Sequence, residues 1–217
     1  MSGRRSAAEA LATRERLLET ASDLSTTEGL EGMSLARLAD ACGVSKSGVT
    51  RHFPSKVELQ LHTLEHAFAR FSDEVWGPAA AHPEGLERLR AVCTSWTDFL
   101  AGECFPGGCF LTAVSAEFDG RPGPVRDAIA AGLKRWLTTL GREAETARAA
   151  GDLLEATDPR SLVHELHGLA LAANQARQVL GDDDAPARSC ALMLDVLERH
   201  ARGAQHSACA STPSSSP

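Results

Sequence analysis

The chain is predicted to be all-α, with an N-terminal three-helix helix-turn-helix unit followed by a C-terminal helical bundle. Three observations predict this. Apolar residues recur at three- and four-residue steps over most of the 217 positions. Neither an Asn-Gly hairpin nor a sustained alternating segment interrupts them. The stretch Ser34 to Lys56 reads SLARLADACGVSKSGVTRHFPSK, with Ala39, Gly43 and Val49 at the offsets of a helix-turn-helix.

In chain order, a first helix is expected from about Ala7 to Glu28, burying Leu11, Leu17, Leu18, Ala21 and Leu24 and stopping at Gly29. Arg4 and Arg5 precede it in a flexible arm, either able to reach a minor groove or simply solvated. In the helix-turn-helix, Ala39 lets two helices approach, Gly43 supplies the positive φ of the turn and Val49 plugs the second helix into the first. Ser45 is that helix's N-cap, and Phe53-Pro54 ends it. Ser55 and Glu58 form a capping box that opens a linking helix to about Trp76, carrying Leu59, Leu64, Phe68, Phe71 and Val75.

A helix from Pro83 to Ala101 follows. Phe110, Val114, Glu117 and Phe118 then repeat at i, i+4, i+7 and i+8, which favours a short helix over a strand. After the Arg121-Pro122-Gly123-Pro124 turn comes a long helix with Val125, Ile129, Leu133, Trp136, Leu137, Leu140 and Ala144. Asp158-Pro159, an N-cap followed by proline, opens a helix to about Leu180, and Pro186 to Arg202 closes the fold. The expected organisation is an N-terminal arm and helix-turn-helix domain at 1–54, a second helical domain at 55–202 and a disordered Ser/Thr/Pro tail at 203–217.

The last two helices carry seam patterns. Leu162, Leu166, Leu169, Ala173, Ala176 and Leu180 recur on one, and Ala187, Cys190, Leu194, Leu197 and Ala201 on the other. Each also has a second apolar set, Val163, Ala170 and Leu171 or Leu192, Met193 and Val196. One set can pack within the subunit and the other on a second copy, which predicts a homodimer through a four-helix bundle. Leu162, Leu166, Leu169, Ala173, Cys190, Leu194 and Leu197 are its expected contacts.

A helix that reads DNA carries short polar and cationic side chains at its N-terminal end. Ser45, Lys46, Ser47, Thr50, Arg51 and His52 meet that need. Lys56, at the start of the linking helix, opposes the helix dipole and is expected to face an external anion. The chain as a whole is acidic, net −7, yet residues 37–56 hold Arg37, Lys46, Arg51 and Lys56 against Asp40 alone. A small cationic face on an acidic protein suits oriented docking on double-stranded DNA and argues against indiscriminate nucleic-acid binding.

From Thr13 to Leu61 the chain resembles the DNA-binding domain of the tetracycline-repressor (TetR) family of transcriptional regulators. The resemblance rests on Leu38-Ala39, Ala41-Cys42-Gly43-Val44-Ser45, His52-Phe53 and Ser55-Lys56-x-Glu58-Leu59. It implies that Ser34, Ser45, Lys46, Ser47, His52 and Lys56 lie at or near DNA. Thr50 stands where the family usually carries tyrosine, so a hydroxyl and a methyl replace an aromatic contact to the DNA backbone. The segment Gly108 to Arg126 is also similar to part of the regulatory domain in a subgroup of that family.

The resemblance further implies a repressor released from a palindromic operator by a small effector, with the linking helix tilting to change the separation of the two reading heads. Candidate ligand contacts are Phe68, Trp96, Phe99, Phe110, Val114, Glu117, Trp136, Leu166 and Asn174, together with His167, whose apolar character suits a hydrophobic or aromatic effector. The same aromatics at helical spacing also serve as core, and Glu117 can equally pair with Arg121 or Arg126. A rival regulator would sense oxidants or electrophiles through Cys104 and Cys109, which flank Phe-Pro-Gly-Gly. No cofactor is expected, and no metal site, since His164-x-x-His167 lacks further ligands in the local sequence. Nor is an enzyme expected, because no nucleophile-base pairing or phosphate-cradling glycine loop is found. Without a secretory signal or a bilayer-length apolar run, a cytoplasmic protein without membrane partners is expected.

Overall fold

The structure, a computed structural model, describes residues 2–201, with side chains from residue 7 onward. The expected tail at 203–217 lies outside the described residues. Ten α-helices are found among them: α1 Ser2–Thr27, α2 Leu35–Cys42, α3 Lys46–His52, α4 Lys56–Phe71, α5 Gly77–Ala80, α6 Leu86–Ala101, α7 Phe110–Phe118, α8 Pro124–Ala150, α9 Pro159–Leu180 and α10 Ala185–His200. The chain is all-α, and among the described residues only the isolated bridge between Leu153 and Ala201 pairs extended backbone.

Most helix ends fall where the residue chemistry placed them. Ser34, Ser45 and Ser55 each accept a backbone N–H three residues on, from Arg37, Gly48 and Glu58 at 3.0, 3.1 and 3.2 Å. Asp158 caps α9 through the N–H groups of Arg160 and Ser161, at 3.3 and 3.1 Å. The Ser161 hydroxyl and those amides hold its carboxyl below the usual range. Gly43 ends α2 with φ +65°, the left-handed geometry the short turn requires.

Two boundaries differ from expectation. Helix α1 starts at Ser2, so Arg4 and Arg5 lie within it rather than in an arm ahead of it. The Ala7-Ala8-Glu9-Ala10 run, strong helix formers throughout, lets the helix propagate backward. The linking helix stops at Phe71 and widens into one π turn, Ser72–Trp76, before α5. Pro78 has no N–H to continue the ladder, and its ring would meet the preceding turn, so the α repeat does not pass through it.

The chain divides into two compact units. The first comprises the chain up to Asp73 with Gly102–Lys134, the second Glu74–Ala101 with the chain from Arg135 on. In the first unit α1 packs on α2, α4 and α7. Leu17, Leu30, Met33, Leu38, Val49, Phe53, Leu59 and Leu64 are all buried, each adding about 2 kcal/mol by burial. The 102–109 segment lies against the end of α1. There the Gly107 N–H donates to Thr26 Oγ1 at 3.1 Å, and Arg70 pairs with Asp23 at 3.1 Å while covering the Phe105 ring at 4.3 Å.

In the second unit α10 packs on α9 and α6, and Leu89, Cys93, Trp96, Leu140, Leu162, Leu166, Met193 and Leu197 fill the core. Glu143 accepts from the Gly85 N–H at 2.7 Å and from Arg88 at 3.1 Å, fixing the entry to α6. Arg199 reaches Glu165 at 2.7 Å, which sets α9 and α10 side by side and antiparallel.

Candidate nucleic-acid interface

Helix α3 is only seven residues long, too short to persist alone. It is held by Val49, buried under α2, by Phe53 at its end and by the Gly43 turn before it. Its outer side is left to solvent: Ser45, Lys46, Ser47, Thr50 and Arg51 are exposed and His52 is half-buried. Ser34 and Arg37 at the start of α2 are exposed too, and Lys56 at the start of α4 is half-buried. All of these positions belong to the first unit.

Several of these side chains already have partners. Ser45 Oγ and Ser47 Oγ lie 3.0 Å apart, and Thr50 Oγ1 donates to the Lys46 carbonyl at 2.9 Å. Arg37 grips Glu28 with two bonds, at 2.9 and 2.5 Å, and this contact holds the Glu28 carboxyl below its usual range. Lys56 Nζ lies 3.2 Å from Glu31 Oε1 and donates to the Glu31 carbonyl. Lys56 therefore faces an internal carboxylate, which accounts for a cation at a helix start without an external anion. The two acids lie just ahead of the 37–56 window, so the local charge excess is smaller than that window implies. Among the described residues Lys46 and Arg51 form no ion pair, and they carry the uncompensated charge of this face.

Sequence reasoning missed three supports. Arg14 donates to the His52 carbonyl at 3.0 Å and lies over the Phe53 ring at 4.6 Å, clamping the end of α3 from 38 residues away. Gln60 is buried and donates to Leu30 O at 3.0 Å and to Glu31 Oε2 at 3.1 Å. A glutamine beside Leu59 on an apolar face was the available signal, since a buried amide needs partners. Glu117 is the third. Its Oε2 accepts the Leu30 N–H at 2.8 Å and its Oε1 the Glu31 N–H at 2.9 Å. Both oxygens of this expected ligand contact are thus committed to backbone.

The remaining effector candidates fall into two groups. Phe68, Phe110 and Val114 lie in the first unit, where Phe110 meets Phe105 at 5.7 Å and Phe68 fits against Gly132. Trp96, Phe99, Trp136, Leu166 and Asn174 lie in the second, where Trp96 meets Trp136 edge-on at 5.1 Å and stacks on His167 at 6.0 Å. Of the expected dimer contacts, Leu162, Leu166, Ala173 and Leu197 are buried within the chain itself, while Leu169, Cys190 and Leu194 stay half-buried. The seam stripe faces inward because α9 and α10 pack on each other and α10 on α6. The apolar residues left exposed on these helices include Leu171, Val179, Leu180 and Leu192. Cys109 is buried and its thiol is pushed up by desolvation, the opposite of a reactive thiolate, so the oxidant-sensing alternative is not favoured. No described helix is long and apolar enough to cross a membrane.

Two family models match the chain. "Bacterial regulatory proteins, tetR family" covers residues 17–62 and "Tetracyclin repressor-like, C-terminal domain" residues 85–193. The chain is 31% identical over 87 residues to the HTH-type transcriptional activator FasR of Mycolicibacterium smegmatis, 40% of each chain. It is 29% identical over 84 residues to the HTH-type transcriptional repressor KstR of Rhodococcus jostii, 39% of each. It thus spans about two fifths of the length of these relatives. The crystal structure of a TetR transcriptional regulator from Chloroflexus aurantiacus superposes with a TM-score of 0.82 at 20% identity, over 89% of this chain and 98% of that one. With both domain models in order along it, and a helix-turn-helix that presents its second helix outward, this chain belongs to the TetR family of bacterial transcriptional regulators.

Proposed function

We propose that the protein binds a palindromic operator as a homodimer, places α3 in the major groove and represses until a small hydrophobic or aromatic effector releases it. The observation that carries this reading is α3 itself, buried on the Val49 side and exposing Ser45, Lys46, Ser47, Thr50 and Arg51 on the other. Lys46 and Arg51 supply phosphate contacts, and the hydroxyls of Ser47 and Thr50 reach base edges or the backbone. One seven-residue helix binds weakly, so two copies held about 34–36 Å apart are needed.

For the dimer we assign the exposed edge of α9 and α10. Antiparallel pairing of Glu165 with Arg199 brings Leu171 and Leu192 to the same level, flanked by the half-buried Leu169, Cys190 and Leu194. For the effector, the Trp96, Trp136 and His167 rings with Phe99, Leu166 and Asn174 favour a flat apolar molecule in the second unit. An effector that binds one state better than the other shifts the population away from DNA by its differential affinity. Repression accords with the name of the Rhodococcus relative; the Mycolicibacterium relative is named an activator.

The test is selection of duplexes from a random pool by the purified protein, followed by gel shifts at rising salt. A two-fold symmetric site with half-sites one helical turn apart is expected, and so is a strong salt dependence. A monomer that retains no duplex at low salt overturns the reading. A reporter driven from the selected site fixes the sign of regulation.

A further inference from the structure

Residues 29–31, the link between α1 and α2, are held from two sides by side chains distant in sequence. On one side Glu117 of α7 accepts the Leu30 and Glu31 amides, at 2.8 and 2.9 Å. On the other, Gln60 and Lys56 of α4 donate to the Leu30 and Glu31 carbonyls. Glu31 then returns its own carboxylate to the same two residues, to Gln60 at 3.1 Å and to Lys56 at 3.2 Å. Glycine at position 29 makes room for this, since its φ is +86° and a Cβ there would lie 2.8 Å from Glu117 Oε1.

We infer that Glu117 is a positioning residue through which α7 governs DNA binding, by fixing the 29–31 link and through it the ammonium of Lys56 beside α3. The inference rests on the operator-binding reading above. The Glu31 N–H and the Leu30 carbonyl belong to one peptide group, so the Glu117 bond to that N–H makes the carbonyl a better acceptor and strengthens its bond from Gln60, whose amide also holds the Glu31 carboxylate that pairs with Lys56. Two of the three Lys56 donors go to Glu31, and the third is available to a phosphate. Were α7 to withdraw by about one ångström, both Glu117 bonds would exceed hydrogen-bond length, and the cost of stranding two amides would be met by moving the link. Lys56 would then lose its fixed geometry and must be ordered anew on each DNA encounter. Arg121, just past α7, donates to the Glu117 carbonyl at 3.0 Å, and its charge acts on the Glu31 carboxylate of the same link.

The test is a double-mutant cycle on the operator selected by the parent protein, read as affinity against salt. Glu117→Gln keeps the size but lacks one acceptor and the charge. Expected is about a tenfold loss of affinity and a salt slope shallower by about one, as for one lost phosphate contact. In a Lys56→Ala background the same change should cost less than twofold. Equal losses in both backgrounds, or no loss in either, overturn the inference, because a merely structural Glu117 would act regardless of Lys56. Should Glu117→Gln fail to fold, Glu117→Asp, which keeps the charge but falls one methylene short, goes through the same cycle with the same two outcomes. A parent that binds no duplex overturns both this inference and the functional reading, whereas a binding parent with an indifferent Glu117 overturns this one alone.

Discussion

The His167 imidazole stacks on the Trp96 indole, their centroids 6.0 Å apart and their planes 21° from parallel. Burial lowers the imidazole's pKa below 6.5, and the nearby His164 charge lowers it further. A folded-state pKa below the unfolded one means that the unfolded chain takes up the proton first. Stability is therefore unaffected by this group well above pH 6.5 and falls as acid is added through that value, levelling off below the folded pKa. The expected outcome is a lower Tm at about pH 5.5 than at about pH 7.5, with the difference reduced in His167→Gln. An unchanged pH profile in that variant would remove His167 as the cause.

Two Arg–Glu pairs should respond in opposite ways. Arg88 and Glu143 leave only 14% and 10% of their side chains exposed, and Glu143 also accepts the Gly85 amide. Glu143→Ala leaves the Gly85 N–H without its acceptor and takes the more buried of two carboxylates from Arg88, which keeps Glu84 at 3.5 Å and the His82 carbonyl, so a loss of about 2 kcal/mol is expected by urea unfolding. Arg37 and Glu28 are 42% and 41% exposed, so Glu28→Ala should leave the unfolding midpoint in place. It should instead tighten DNA binding, because Arg37 regains its charge toward phosphate. Weaker binding would show that Glu28 orients Arg37 rather than masking it.

Gly107 and Gly43 distinguish crowding from backbone strain. A Cβ on Gly107 would lie 2.0 Å from the Thr26 carbonyl oxygen, so Gly107→Ala must push the 102–109 segment off α1. A cost of about 3 kcal/mol is expected. At Gly43 no atom lies within 4 Å of the added carbon, and only the φ of +65° is unfavourable, so about 1 kcal/mol is expected. Denaturant unfolding of the two variants measures the difference directly, and equal costs would contradict the close approach at Thr26.

Local chemistry made the reading head legible: the Ser45 and Ser55 caps, one glycine turn and the buried Ala39 and Val49 are each decided by neighbours within a few residues. What the sequence did not show is pairing over long separations. Glu117 and Leu30 are 87 residues apart, and no periodicity marks a carboxylate on a helix face as a cap for another segment's amides. The α9 and α10 stripes show the limit of pattern reading from the other side. Their 4-3 spacing reports that two helices pack, but a partner on the same chain and one on a second copy produce the same spacing. Only the burial of Leu162, Leu166, Ala173 and Leu197 within one chain separates the two. Likewise Glu28 and Glu31 offset Arg37 and Lys56 because the fold brings residues ahead of α2 onto the reading face, which a charge count over a window cannot register.

Lys46, Arg51 and Ser47 divide that face into charge and readout. Lys46 and Arg51 form no ion pair among the described residues, so each is available to a phosphate, a contact blind to sequence. Lys46→Ala and Arg51→Ala should each weaken binding to every duplex alike and make the salt slope shallower by about one. Ser47 is uncharged and its hydroxyl lies 3.0 Å from that of Ser45, which fixes its direction. Ser47→Ala should leave the salt slope unchanged while altering preference at one base pair of each half-site, by about 1 kcal/mol. Parallel selections with the parent and the three variants measure both quantities. A preference change in Lys46→Ala, or a slope change in Ser47→Ala, would reverse the assignment, and the cap pair of Ser45 and Ser47 would then be read as support for the helix start alone.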